Sequence, residues 1–265
     1  MWDVSSREER KRAARDARLE VERKDAASEQ RRRRLTQLGG IVLVAAAIVA
    51  VLIAVSSGGG SGHKAVPSGG QAADAGQAPT LLGGIPQAGL TLGKPSAPVT
   101  IVEFNDMQCP ICRQYQSAVF PDLVRRYVRT GKVRMEMQLQ SFIGPDSVTA
   151  GKAVAAAAKQ NLAWTFADIF YSNQQQENSG YVTPEFIQSI AAATPGLNHA
   201  KLVSDAASPA AAQALKTGQN AFDAHGLTGT PSFLIGRTGG SMSVLNWSAL
   251  TPAQFTGPIN ALLGK

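Results

Sequence analysis

Val99-Thr-Ile-Val-Glu-Phe-Asn-Asp-Met-Gln-Cys-Pro-Ile-Cys112 joins a short apolar, β-branched run to the chain's two cysteines, which are spaced C-x-x-C. Residues 99–104 read as a buried strand. Over 110–129 apolar residues recur at helical spacing (Ile111, Tyr115, Val119, Leu123, Tyr127), which predicts a helix kinked at Pro121. The junction is therefore strand, short loop, helix, with Cys109 at the helix N-terminus. Unpaired N–H groups and the helix dipole stabilise a thiolate there. Pro110 at the first helical position costs no hydrogen bond. Cys112 falls one turn deeper, close enough to close a disulfide and more shielded.

Working outward, residues 132–140 alternate Val133, Met135, Met137 and Leu139 with Arg134, Glu136 and Gln138, the pattern of a half-buried strand. An alanine-rich helical block follows over about 146–225. Asp146 or Ser147 is expected to cap its first helix, and Thr183-Pro184-Glu185 reads as an N-cap, an N1 proline and a first-turn acid. Trp164, Phe166 and Phe170 read as core packing. Strand signals return at 232–235 and 244–247, joined through Gly239-Gly240 as a hairpin, and 251–263 reads as a terminal helix. The order is β-α-β, helical block, β-β-α.

The N-terminal part is of another kind. Residues 1–37 hold 12 of the 26 Lys and Arg and 8 of the 19 Asp and Glu, so the formal charge of +7 is concentrated in a tail. The remaining chain has a net charge near +3, which gives it no electrostatic reason to seek nucleic acid. After the block Arg31 to Arg34, residues 38–57 carry no charge. As a helix they would span about 30 Å, the hydrocarbon thickness of a bilayer. The arginine block predicts a cytoplasmic N-terminus and an exported remainder. The alternative is a cleaved signal peptide, with Ala54-Val55-Ser56 as the cleavage site. Residues 58–80, rich in Gly, Ser, Ala and Pro, are expected to be a flexible linker spanning roughly 27 Å. The globular domain is expected over 81–265.

Two thiols cannot complete a four-ligand zinc site, and His63, His199 and His225 show no paired ligand spacing. An inert structural disulfide at C-x-x-C would close too short a loop to stabilise much. Exchange-active thiols are the favoured reading. No P-loop, dinucleotide fingerprint or H-E-x-x-H is present.

The segment 99–112 resembles the active-site segment of DsbA-like proteins of the thioredoxin superfamily. Gly229-Thr-Pro-Ser-Phe233 is similar to that superfamily's cis-proline segment, and the helical block fits the insertion typical of DsbA-like folds. The resemblance implies an α/β thioredoxin fold with an inserted helical block, preceded here by the transmembrane helix and linker. It implies that Cys109 is a nucleophilic, solvent-facing thiol and Cys112 the resolving one. Thr230-Pro231 would be a cis peptide facing the disulfide and holding a substrate chain. Glu103 would be a buried acid that helps move the proton of Cys112; the alternative is a strand-end carboxylate reaching water. Asp106 reads as a turn or helix-start residue. Ile111 stands where strongly oxidising members carry histidine, so part of the Cys109 thiolate's stabilisation is missing.

The expected function is an extracytoplasmic thiol–disulfide oxidoreductase, a disulfide-forming oxidase anchored in a bacterial cell membrane. Its expected partners are cysteine-containing exported proteins, a membrane electron-transfer partner and, through 38–57, the lipid bilayer. No cofactor, metal or nucleic acid is expected, and the chain is expected to be a monomer. The alternatives are a reductase or isomerase of the same fold, or a non-catalytic thioredoxin-like binding module.

Overall fold

The structure, a computed structural model, describes residues 72–264. The expected arm 1–37, the expected span 38–57 and the linker up to residue 71 lie outside the described residues. Among the described residues no helix is long and apolar enough to cross a membrane.

A short helix α1 (Ala78–Leu82) leads into two short strands, β1 (Gln87–Ala88) and β2 (Thr91–Leu92). Then come β3 (Val99–Asp106), α2 (Pro110–Ala118), α3 (Phe120–Leu123), a π-helical turn (Val124–Val128) and β4 (Val133–Gln140). The helical block consists of α4 (Pro145–Ala158), α5 (Ala163–Ser172), α6 (Pro184–Ala193), α7 (His199–Ala206) and α8 (Pro209–Ala224). The chain closes with β5 (Ser232–Arg237), β6 (Met242–Val244) and α9 (Pro252–Leu262). The sheet order is β1-β2-β4-β3-β5-β6, with β3 and β4 parallel and the other neighbours antiparallel. This is the expected thioredoxin fold with a helical insertion.

All eight residues of β3 are buried because both faces of the strand are covered. Val102 and Phe104 pack with Phe222 of α8 and Leu234 of β5, whereas Val99 and Ile101 join the main core on the opposite face. The insertion is docked through that main core: Trp164 of α5 stacks on Phe120 at 5.6 Å and 9°, and its Nε1–H donates to Leu90 O at 2.9 Å. Trp164, Phe166 and Phe170 are core residues, as expected.

Local expectations fare unevenly. Thr183 caps α6 by accepting from Phe186 N–H, with Pro184 at N1 and Glu185 in the first turn. The helix expected over 110–129 is instead three pieces, and the break falls before Pro121. Pro121 has no N–H to give Ser117 O, so α2 stops at Ala118. The last turn then widens, with Arg129 N–H bonding Val124 O. Neither Asp146 nor Ser147 caps α4: Gly144 takes that place, Pro145 is at N1, and Ser147 is buried. The hairpin's second strand is 242–244 rather than 244–247, because Gly236 pairs with Met242 across a tight Gly239-Gly240 turn. The expected linker also ends early. Ala73 and Ala78 are buried, and Ala73 N–H bonds Ser189 O at 3.0 Å, so the end of 58–80 packs with the domain.

Candidate active site

The β3–α2 junction forms as its sequence requires. Asp106, the last residue of β3, accepts from Gln108 N–H at 2.9 Å through Oδ1, and its carbonyl accepts from Cys109 N–H at 3.0 Å. The chain therefore turns within three residues. Cys109 adopts an extended conformation (φ −65°, ψ 118°) and is the N-cap of α2, its Sγ accepting from Cys112 N–H at 3.3 Å. On the other side, the Cys109 thiol donates to Thr230 O at 3.3 Å. The Thr230–Pro231 peptide is cis. The structure thus brings Cys109, Cys112, Thr230 and Pro231 together.

The two thiols, both free, have opposite electrostatics. The Cys109 thiol is pulled down to about 6, most of all by the hydrogen bond from the Cys112 thiol. Burial opposes this; a hydrogen bond from the Thr230 side chain and the amides of Cys112 and Ile111 add to it. Cys112 is pushed well above the usual thiol range by burial, by its hydrogen bond to Cys109 and by the charge of Cys109. Contrary to the solvent-facing position expected, Cys109 is only 5% exposed, because the Thr230–Pro231 loop lies over its sulfur. Neighbouring Ile111 is 42% exposed. Beside the same loop is a cleft of about 260 Å³, lined in part by Leu227, Thr228, Ser232, Val244 and Trp247.

Glu103 does not reach water. It is 1% exposed, because β3 continues to Asp106 and Glu103 is flanked by Met137 of β4 and Phe233 of β5. Burial pushes its carboxyl up to about 7, against the hydrogen bond that Asn105 Nδ2 donates to Oε1 at 2.9 Å. Burial, and after it the charges of Glu103 and Cys112, hold the Tyr115 hydroxyl well above its usual range, so the acid and the thiol both lie within electrostatic reach of one buried phenol. Asp106 is a turn residue, as expected, and it also accepts from Ile143 N–H at 3.3 Å.

Sequence reasoning missed the residues that hold this junction from the insertion. Tyr171 OH donates to Asp106 O at 3.1 Å, and the Gln108 side chain bridges Ser147 Oγ (3.0 Å) and Asn178 N–H (2.7 Å). Gln174 Nε2 reaches two carbonyls of the loop. A buried polar pair, Gln116 Nε2 to Asp168 Oδ1 at 2.9 Å, ties α2 to α5, and burial pushes Asp168 up to about 6. Only the run Asn173-Gln-Gln-Gln176, polar in an otherwise alanine-rich block, hints at any of this in the sequence. Among the described residues no group of three or more His, Cys, Asp or Glu side chains could hold a metal ion.

Residues 87–249 match a family model described as thioredoxin. A probable disulfide bond formation protein D of Bacillus cereus is 38% identical over 103 residues, which is 38% of this chain and 47% of the relative. The disulfide bond formation protein D of Bacillus subtilis is 31% identical over 105 residues, 39% of this chain and 47% of the relative. The chain thus spans about half the length of the curated relatives it matches. Among solved structures, oxidised BdbD from Bacillus subtilis superimposes with a TM-score of 0.59 at 22% identity, covering 68% of this chain and 98% of that one. Wolbachia pipientis alpha-DsbA1 gives 0.56 at 21% identity, covering 71% and 96%. Both share the fold with its helical insertion.

Proposed function

Because the chain belongs to the thioredoxin family, with the helical insertion of DsbA-like folds, we propose that it is a thiol–disulfide oxidoreductase using Cys109 and Cys112. The observation that carries this reading is the split between the two thiols. One sulfur at a helix N-terminus is held as a thiolate near neutral pH, and its partner one turn deeper is held as a thiol. In the forming direction, a client thiolate attacks Cys109 Sγ of the oxidised protein, the Cys109–Cys112 bond breaks, and Cys112 leaves with the electron pair. Cys112 sits where a thiolate is disfavoured, so it takes up a proton. Glu103, neutral in part near pH 7 and buried within electrostatic reach of the same Tyr115 hydroxyl as Cys112, is a suitable donor. The client's second thiolate then attacks the client sulfur of the mixed disulfide and releases Cys109 as a thiolate. Two electrons pass from client to protein, and a membrane electron-transfer partner takes them on. Thr230 and Pro231 are proposed to hold the client chain at the free backbone of their loop.

The setting is proposed on sequence grounds. A charged arm (1–37) lies in the cytoplasm, a transmembrane helix (38–57) anchors the chain, and the domain acts on exported cysteine-containing proteins outside the cell membrane. The names of the curated relatives support the disulfide-forming direction. In the test, reduced client is oxidised by the full chain in detergent. Cys109→Ser abolishes turnover; Cys112→Ser, given the client as its disulfide, accumulates mixed disulfides through Cys109 because no second thiol resolves them; and the potential against glutathione lies nearer about −120 mV than about −270 mV. Turnover that survives Cys109→Ser overturns the proposal, and a potential at the lower end makes the protein a reductase.

A further inference from the structure

The insertion touches the redox loop most closely at Gln174. This buried residue lies two positions after the end of α5, and its Nε2 donates to Met107 O at 2.8 Å and to Cys109 O at 3.2 Å. Both amide hydrogens are thereby used on two carbonyls of the loop. The Cys109 carbonyl also accepts Arg113 N–H at 3.1 Å, the opening bond of α2. Arg113 closes the ring, since its Nη1 donates to Gln174 O at 3.2 Å. Two residues, Gln174 from the insertion and Arg113 from α2, therefore hold the Cys109 carbonyl and are tied to each other. The Cys109 sulfur moves with this backbone, since Sγ is one bond from Cβ. Its contacts with Cys112 N–H and Thr230 O are each 3.3 Å, and hydrogen-bond strength falls steeply with length and misalignment.

We propose that Gln174 is a positioning residue for the exchange pair: by holding the Cys109 carbonyl it keeps Sγ on the α2 amides, so the helical insertion sets how readily Cys109 exists as a thiolate. The proposal rests on Cys109 being the exchanging thiol. The test is thiolate absorbance against pH for the reduced full chain in detergent. Gln174→Met keeps the volume and removes both donors, and should raise the Cys109 midpoint by about one unit, leaving roughly tenfold less thiolate at a fixed pH below it. Gln174→Asn, shorter by one methylene, should shift it in the same direction and carries the test if Gln174→Met does not fold. Gln160 makes a comparable pair of bonds to Asn198, accepting from its N–H at 2.9 Å and donating to its carbonyl at 3.1 Å. Gln160→Ala should lower the melting temperature without moving the midpoint. A folded Gln174 variant with the wild-type midpoint, or an equal shift in Gln160→Ala, overturns the positioning role. If Cys109→Ser has meanwhile abolished turnover, only this role is lost. Turnover persisting in Cys109→Ser removes the redox reading instead.

Discussion

Replacing Glu103 by glutamine should make the protein more stable at pH 8 and leave it nearly unchanged at pH 4.5. Burial raises the carboxyl from 4.5 to about 7 in the folded chain. Between those values the folded state binds more protons than the unfolded state, so this group's contribution falls as pH rises and is lost in full above pH 7. At ~1.4 kcal/mol per unit, the folded protein carries a penalty of roughly 3 kcal/mol at pH 8. The glutamine carbonyl can still accept from Asn105 Nδ2, so the isostere removes the charge and keeps the bond. Cys109 has the opposite sign: its lowered pKa adds stability as pH rises above about 6, but it does so in both proteins and cancels in the difference. Urea melts of the two reduced chains at pH 4.5 to 8 should give a difference that opens by roughly 3 kcal/mol, or roughly 6–12 °C in Tm. A difference that stays constant across this range would show that Glu103 titrates as an ordinary carboxylate, and its role as proton donor to Cys112 would go with it.

Ile111→His should lower the Cys109 midpoint below about 6, because the half-exposed side chain at 111 stands beside a sulfur that its own amide already stabilises. A drop of about one unit would raise the potential by roughly 30 mV; an unchanged or higher midpoint by thiolate absorbance contradicts the reasoning. Gly218→Ala tests the seat of α8 on the sheet. The added methyl would lie 2.3 Å from Leu139 O and 2.9 Å from Leu139 N, atoms of β4 that cannot yield, so a loss of about 1–3 kcal/mol in urea melts is expected. Wild-type stability would mean that α8 can move off β4 freely.

Several features were legible in the sequence because they are encoded within a few residues of one another. The period-two pattern of 133–139, the Thr183-Pro184-Glu185 helix start and the placement of Cys109 at a helix N-terminus all depend on local spacing, and the structure has each of them. The resemblance added the cis Thr230–Pro231 peptide and the burial of Glu103, which local spacing left open. The π-helical turn and the short strands β1 and β2 left no trace in periodicity, since two to five residues are too few to carry one. Tertiary structure alone decided how the site is held. Cys109 meets Thr230 across 121 positions and Gln174 across 65, and Asp106 meets Tyr171 across 65. A glutamine that clamps a loop and a glutamine in solvent are identical in sequence; they differ only in which unpaired carbonyls the packed fold brings within reach. The same applies to Glu103, whose proton affinity depends on strands and helices that screen it from water and that lie far from it along the chain.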